Sequence, residues 1–474
     1  MKKILPLLLM ISSPLVFAQN TGQFEISQTG FKELFNKHRY ASPEMIPWAS
    51  NFFPYSDYGT AVKLDKVTGD PSSRGVSPMG SYALLPGGSD EAEGWEREVH
   101  GCDGYDAKTK KACRAWWGHC NGWAAAAIKE KEPRQPRRFK GVEYSVADQK
   151  GMLAELWLSN YSTNAGLSDK NIKTGKWVNN HRSPTESYNM FWDVTPKAFF
   201  LLFTNYIGVM KTGLVVDRFT GDEVWNQPVV GYRLLPIDKD QIQEVQEGQK
   251  KYWSVRLAVK FYWANDIGLR HDHVSKPFDI SKMNDTENIE TLTEDYEGRF
   301  LAFRLNFDSK VTVSPDGKRV LTAGRMVGDG IWEHQEESEH YSFDDLNNTH
   351  PDFIWLPTQA VQDTSGYGNP HIDGSVVAAM LEGKEIPNSR KDPLILKLSF
   401  APRYLEGSDT TPEIAKRIVQ SVIRREGIKH SIFLRDIEIT RNRVSLLVKF
   451  PEGVDENNLS DLFDAAEMPV KIEK

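Results

Sequence analysis

The chain has 474 residues, 39% of them hydrophobic and 26% charged, with a formal net charge of −7. That length leaves room for several domains and a large core. The balance becomes −9 without the two N-terminal lysines, Lys2 and Lys3, which argues against nucleic acid or an anionic membrane as the main partner.

Lys2 and Lys3 precede an apolar run from Ile4 to about Val16 and then Val16-Phe17-Ala18, the layout of a secretory signal. The run is shorter than the roughly 20 residues a membrane span needs. A signal peptide over 1–18, cleaved after Ala18, predicts a secreted or periplasmic protein. Residues 19 to about 100 are rich in Pro, Gly and Ser and read as loops and short strands. Cys102 and Cys113 then flank a polar, turn-prone loop, and Cys120 lies in different surroundings. An oxidising compartment favours a Cys102–Cys113 disulfide with Cys120 as a free thiol. The other arrangement is three buried, inert thiols.

Within Ala112–Lys131 the run of four alanines, Ala124 to Ala127, predicts a helix that begins near Cys120. A second apolar helix is expected from Pro196 to Tyr206, punctuated by proline at its start and Gly208 at its end. Strand patterns follow at Gly213–Asp217, Glu223–Tyr232, Tyr252–Trp263, Phe300–Phe307 and Lys310–Thr322, with a turn at Pro315-Asp-Gly317. The region reads as α+β with a mostly antiparallel sheet.

Residues 391–474 read as a separate unit. It comprises a strand at Leu394–Phe400, a helix carrying Ile414, Ile418, Val419, Val422 and Ile423, and strands at Ile432–Thr440 and Arg443–Phe450 around an Arg441-Asn442 turn. A short helix at Leu459–Ala465 and a strand at Val470–Ile472 complete the ferredoxin-like order βαββαβ. The unit contains no cysteine and suggests no chemistry of its own.

A cysteine at the first turn of a helix is placed to act as a nucleophile. The helix dipole favours the thiolate, and unpaired N–H groups there can hold an oxyanion. Trp116-Trp117-Gly118-His119 set aromatic walls beside it. The competing reading is a packing cysteine in a buried helix.

The strings WWGHCNGWAAAAI, VVDRFTGDEVWNQPV and THPDFIWLP resemble the transglutaminase elicitor family of oomycetes and marine bacteria, over roughly residues 90–375. The resemblance implies a papain-like core within a 19–390 domain. It implies calcium-independent transfer of glutamine side chains to amines, with no cofactor, a protein or peptide carrying glutamine and amine groups as substrate, and Cys120 as nucleophile. Asp217, at the end of a strand, is the candidate acid that orients a base. Trp117, Trp225 and Asn226, with Gln227, are candidates to line the site. The base is the difficulty: where the family pattern carries a histidine in the Pro196–Gly208 helix, this chain has Phe199-Phe200. His350, in Thr-His-Pro-Asp, takes the role in this reading, with His371 and His119 as alternatives.

Other signals are weaker. His271 and His273 alternate without an evident third ligand, so no metal is expected. Two rival functions remain open. One is a cysteine amidase or peptidase on the same core. The other is a secreted binding protein whose 13 tryptophans form a recognition surface around an inert Cys120.

Overall fold

The computed structural model describes residues 26–62, 77–101, 114–139, 142–158, 175–178, 181–182, 192–218, 223–268, 270–333, 350–351, 354–357, 368–384 and 394–401, with scattered residues between 415 and 473. The expected signal peptide over 1–18, the Cys102–Cys113 pair and the Arg441-Asn442 turn lie outside the described residues.

The β-branched and aromatic runs build one large antiparallel sheet. Its strands are β1 (Tyr40–Ala41), β2 (Gly175–Val178), β3 (Val215–Asp217), β4 (Asn226–Leu234), β5 (Ile242–Glu247), β6 (Lys250–Ala264), β7 (Tyr296–Phe307), β8 (Met326–Trp332) and β9 (Ile354–Pro357). They lie in the order β8-β7-β6-β4-β3-β9-β2, with β1 beside β4 and β5 beside β6. The longest pairing runs from Trp253 opposite Phe307 to Ala264 opposite Tyr296. The segment expected as one strand over Lys310–Thr322 forms two short pairs instead, Thr312–Val313 and Val320–Thr322, because Gly317 turns the chain at φ +67°.

Side-chain alternation along these strands feeds two separate cores. Val255, Leu257, Val259, Phe261 and Trp263 of β6 point to one face, where α1 (Phe31–Lys37) covers them together with Phe199, Phe200 and Phe203. Tyr262 and Ala264 point to the other face, where α2 (Pro78–Ala83), α3 (Ala92–Val99), α4 (Cys120–Lys129) and α5 (Val146–Leu158) gather around Trp123 and Trp157. The result is a sheet layered between helices on both sides, with α6 (Pro196–Phe203) on the α1 side and α7 (Gly374–Glu382) on the α4 side.

Helix α4 is buried from Cys120 to Ile128, which suits a sequence of small residues that neighbours can approach on every side. Trp123 Nε1 donates to the Trp48 carbonyl at 3.1 Å, and Trp48 Nε1 donates to the Glu130 carbonyl at 3.0 Å, beyond the helix end. These two buried indoles clamp the helix near both ends. Helix α6 ends earlier than expected. It runs into a π-helical turn at Thr204–Val209, where the Thr204 hydroxyl donates to the Phe200 carbonyl and Asn205 Nδ2 donates to the Leu201 carbonyl.

The region before residue 100 is more helical than its composition suggests, since α1, α2 and α3 all fall there. In the C-terminal unit, β10 (Leu394–Phe400) pairs antiparallel with β13 (Val444–Phe450) and β14 (Lys471–Glu473). The short strands β11 (Ser431–Ile432) and β12 (Glu438–Ile439) pair with β13. The chain is therefore a mixed fold of helices and antiparallel sheets, as expected.

Candidate active site

Cys120 is the first residue of α4 and is 5% exposed. An extended lead-in delivers it there. Gly118 bridges Pro54, Tyr55 N–H donates to the Trp117 carbonyl at 2.8 Å, and His119 N–H donates to the Phe52 carbonyl at 2.6 Å. The thiol faces the start of β4. It lies 3.8 Å from the Val224 carbonyl, and Asn226 Nδ2 donates to its sulfur at 3.5 Å.

The orientation of Asn226 follows from a third residue. Trp355 Nε1 can only donate, and it reaches Asn226 Oδ1 at 2.7 Å. That bond fixes which end of the amide is oxygen, so the NH2 group faces Cys120. Val215 and Trp355 belong to the core that contains α4, whereas Val216 and Ile354 belong to the opposite one. Asp217 is two residues beyond Val215 and opposite Asn226 in the ladder, so it faces the thiol side. It is fully buried, and its Oδ1 accepts from Trp225 N–H at 2.9 Å.

Burial pushes the Cys120 thiol above its ordinary value. The side-chain and backbone N–H groups of Asn226 oppose this, and the carboxylates of Asp217 and Asp266 add to it. Desolvation and two nearby negative charges thus work against the thiolate that a helix start favours. The Asn226 donors are the groups that stabilise negative sulfur in this pocket.

The other predicted residues divide. Trp225 stands at the rim, with its ring edge-on to Phe52 at 5.5 Å and its Nε1 bonded to Glu223 at 3.0 Å. Trp117 is half-buried and lies edge-on to Trp116 at 6.3 Å. Gln227, opposite Val216, faces the other side of the sheet.

His350 is not brought to Cys120. It stacks on Trp332 at 4.6 Å, and Trp332, opposite Phe303, lies in the core on the far face from α4. His371 sits 3.3 Å from Glu91 at the edge of α3. His119 turns away from its neighbour Cys120 into a buried group with Glu96, His100 and Glu155. The hydrogen-bond partners of the thiol are Val224 and Asn226, and no histidine among the described residues is one of them. The structure thus corrects His350 as base for a topological reason, since the sheet intervenes.

Three features escaped the sequence reading. Asp266, beyond the end of β6, carried no motif. Trp355 lies within the IWLP string, and its partner Asn226 within WNQP, so the pairing of two conspicuous motifs was the available signal. Glu96 in α3 and His100 at its C-cap are four apart and therefore neighbours on one face, a spacing whose meaning shows only once His119 is adjacent.

A buried cysteine at the start of a helix, held by an asparagine from a neighbouring strand and flanked by a carboxylate, defines a thiol-centred α+β fold. Residues 90–268 match the transglutaminase elicitor family, so the resemblance carried by the motifs holds over this segment. Among solved structures, the GP42 transglutaminase from Phytophthora sojae is similar at 17% identity and a TM-score of 0.46, over 74% of this chain and 96% of that one. No curated protein matches the sequence. No helix among the described residues is long and apolar enough to cross a membrane.

Proposed function

We propose that this protein is an exported acyltransferase of the transglutaminase kind, with Cys120 as the nucleophile. The single observation that carries the reading is the Trp355–Asn226–Cys120 relay, which aims buried N–H donors at the sulfur within the segment that matches the family. Asp217, buried on the thiol side of the sheet, takes its proton in this reading in place of a histidine. The thiolate adds to a glutamine carboxamide, the C–N bond breaks, and the proton leaves with ammonia. A primary amine then attacks the thioester, the C–S bond breaks, and the proton lost by the amine returns to the sulfur. In this reading the backbone N–H groups at the start of α4 hold the oxyanion of both steps. Water in place of the amine gives hydrolysis through the same thioester.

A protein glutamine is the substrate in this reading, with Trp117 and Trp225 as its aromatic walls. The thiol at a helix start, facing an antiparallel sheet, supports a papain-like core over the 19–390 domain. The strand order of the C-terminal unit, β14-β10-β13 with β11 and β12 outermost, supports a ferredoxin-like fold for 391–474. The N-terminal charge and apolar pattern supports export with cleavage after Ala18.

The test is incorporation of a labelled primary amine into a glutamine-rich protein, with and without prior thiol alkylation. Alkylation-sensitive incorporation supports the reading. Absence of both incorporation and glutamine deamidation would leave a binding protein with an inert cysteine.

A further inference from the structure

One residue before the thiol, the chain enters a group of polar side chains that the acyl-transfer reading does not use. Glu96, His119 and Glu155 are 0% exposed and His100 is 5% exposed. One ligand atom from each lies within 4.8 Å of all the others. His119 Nε2 is 2.9 Å from Glu155 Oε2 and 3.1 Å from Glu96 Oε1, and His100 Nδ1 is 2.9 Å from Glu96 Oε2. The four residues come from α3, α4's N-cap and α5, with the turn at Gly59–Ala61 closing the site.

Two observations point to a cation at the centre. First, His119 Nδ1 is 3.4 Å from the Phe53 carbonyl, which can only accept, so that nitrogen carries a proton and Nε2 is the atom turned inward. Nε2 is fully buried between the two carboxylate oxygens, yet it makes no hydrogen bond of acceptable geometry with either. A ring nitrogen set between two carboxylate oxygens at 2.9 and 3.1 Å stands where it could share a cation with them. Second, the carboxylates are themselves held from outside. Thr60 donates its hydroxyl to Glu155 Oε2 at 2.6 Å and its N–H to Glu96 Oε1 at 3.0 Å, and Asn369 N–H donates to Glu155 Oε1 at 3.2 Å. Such outer partners fix ligands around metals.

We infer that Glu96, His100, His119 and Glu155 form a closed site for a divalent transition-metal ion, Zn2+ by preference. Two imidazole nitrogens with two carboxylate oxygens suit this class, whereas Ca2+ takes six or more oxygens. Ligands about 2.0–2.1 Å from a tetrahedral Zn2+ sit about 3.3 Å apart; the closest pairs here are 2.9–3.1 Å apart and the four ligand atoms all lie within 4.8 Å of one another, so a small inward shift completes the shell. One dication balances both carboxylates with the two rings neutral. Gly59 leaves the space, since a Cβ there would fall 2.1 Å from Glu96 Oε1 and 2.8 Å from His119 Cε1. With all four ligands from the protein and none exposed, the ion is structural, and it pins the residue that precedes Cys120.

The test uses the full-length exported chain, produced with Zn2+ present and dialysed. Elemental analysis should find close to one metal ion per chain, falling to a small fraction in Glu155→Gln and His100→Ala and persisting in His371→Ala. Chelator-stripped wild-type protein should gain thermal stability with Zn2+, and with Co2+ it should gain the visible absorption bands of nitrogen and oxygen ligation. These wild-type readouts do not depend on a variant folding. Protein that retains no metal, and that shows neither the stability gain nor the Co2+ bands while still folded, would overturn the site and leave a buried His119 imidazolium between two carboxylates.

Discussion

The same substitution at two glycines should have opposite effects on stability. Gly122 lies in the first turn of α4, where a Cβ would sit 2.2 Å from the Ala154 carbonyl oxygen and 3.1 Å from Leu158 Cα, both backbone atoms of α5. Ordinary contact begins near 3.4 Å, so Gly122→Ala forces the two helices apart by about an ångström. Overpacking of this kind costs roughly 1–3 kcal/mol, and a backbone clash belongs at the upper end. Alanine in place of glycine within a helix returns up to about 1 kcal/mol, which leaves a net loss of about 2 kcal/mol. A Cβ at Gly94 in α3 would meet no atom within 4 Å, so Gly94→Ala keeps only the propensity gain, about 0.5–1 kcal/mol. Urea unfolding followed by tryptophan fluorescence measures both. Because Cys120 starts the helix that must move, amine transfer should also fall in Gly122→Ala and stay unchanged in Gly94→Ala. A Gly122→Ala protein as stable as the parent would refute the close approach of α4 and α5, and with it the positioning of the thiol.

Other outcomes follow from the same contacts. Asn226→Ala removes the buried donor to the sulfur; a hydrogen bond to a charged group is worth about 1.5–3 kcal/mol, so kcat should fall roughly 10- to 100-fold in steady-state amine incorporation. Lys150→Met strips a buried ammonium from Glu132 at 2.8 Å and from the Ala49 carbonyl at 2.8 Å, and should cost about 3 kcal/mol in urea unfolding. Burial alone would raise the carboxyls of Glu290 and Asp285. Lys260, Tyr262 and the Asn284 N–H outweigh it for Glu290, as Arg39, Lys318 and Arg233 do for Asp285, and each is held down at about 2. Their stabilisation is complete above the unfolded values of 4.5 and 3.8 and is lost as pH falls toward 2. The urea midpoint should therefore drop below about pH 4.5, and less steeply in Glu290→Gln.

The fold was legible where one force dominates. Four alanines after a cysteine place the start of α4 near Cys120, its observed first residue, and β6 and β7 follow from alternating branched and aromatic residues. Helix α5 left no such trace. Val146–Leu158 is buried on nearly every side, and Asp148, Gln149, Lys150 and Glu155 are buried with it through polar partners, so no amphipathic stripe marks it. Helix α3 was hidden for a different reason: most of it is exposed or half-buried, and of its two buried residues, Ala92 and Glu96, one is a carboxylate. At the site, Cys120 and Asn226 came from motifs. The choice of His350 failed because no local pattern reports which face of a sheet a distant loop will reach.

The most direct measurement traps the thioester. Mature protein mixed with a glutamine peptide, without amine and quenched in acid, should show the peptide minus ammonia attached to the Cys120-containing fragment by mass spectrometry. Added primary amine should remove the adduct. Turnover with no adduct, or with the peptide attached at another residue, would contradict Cys120 as the nucleophile.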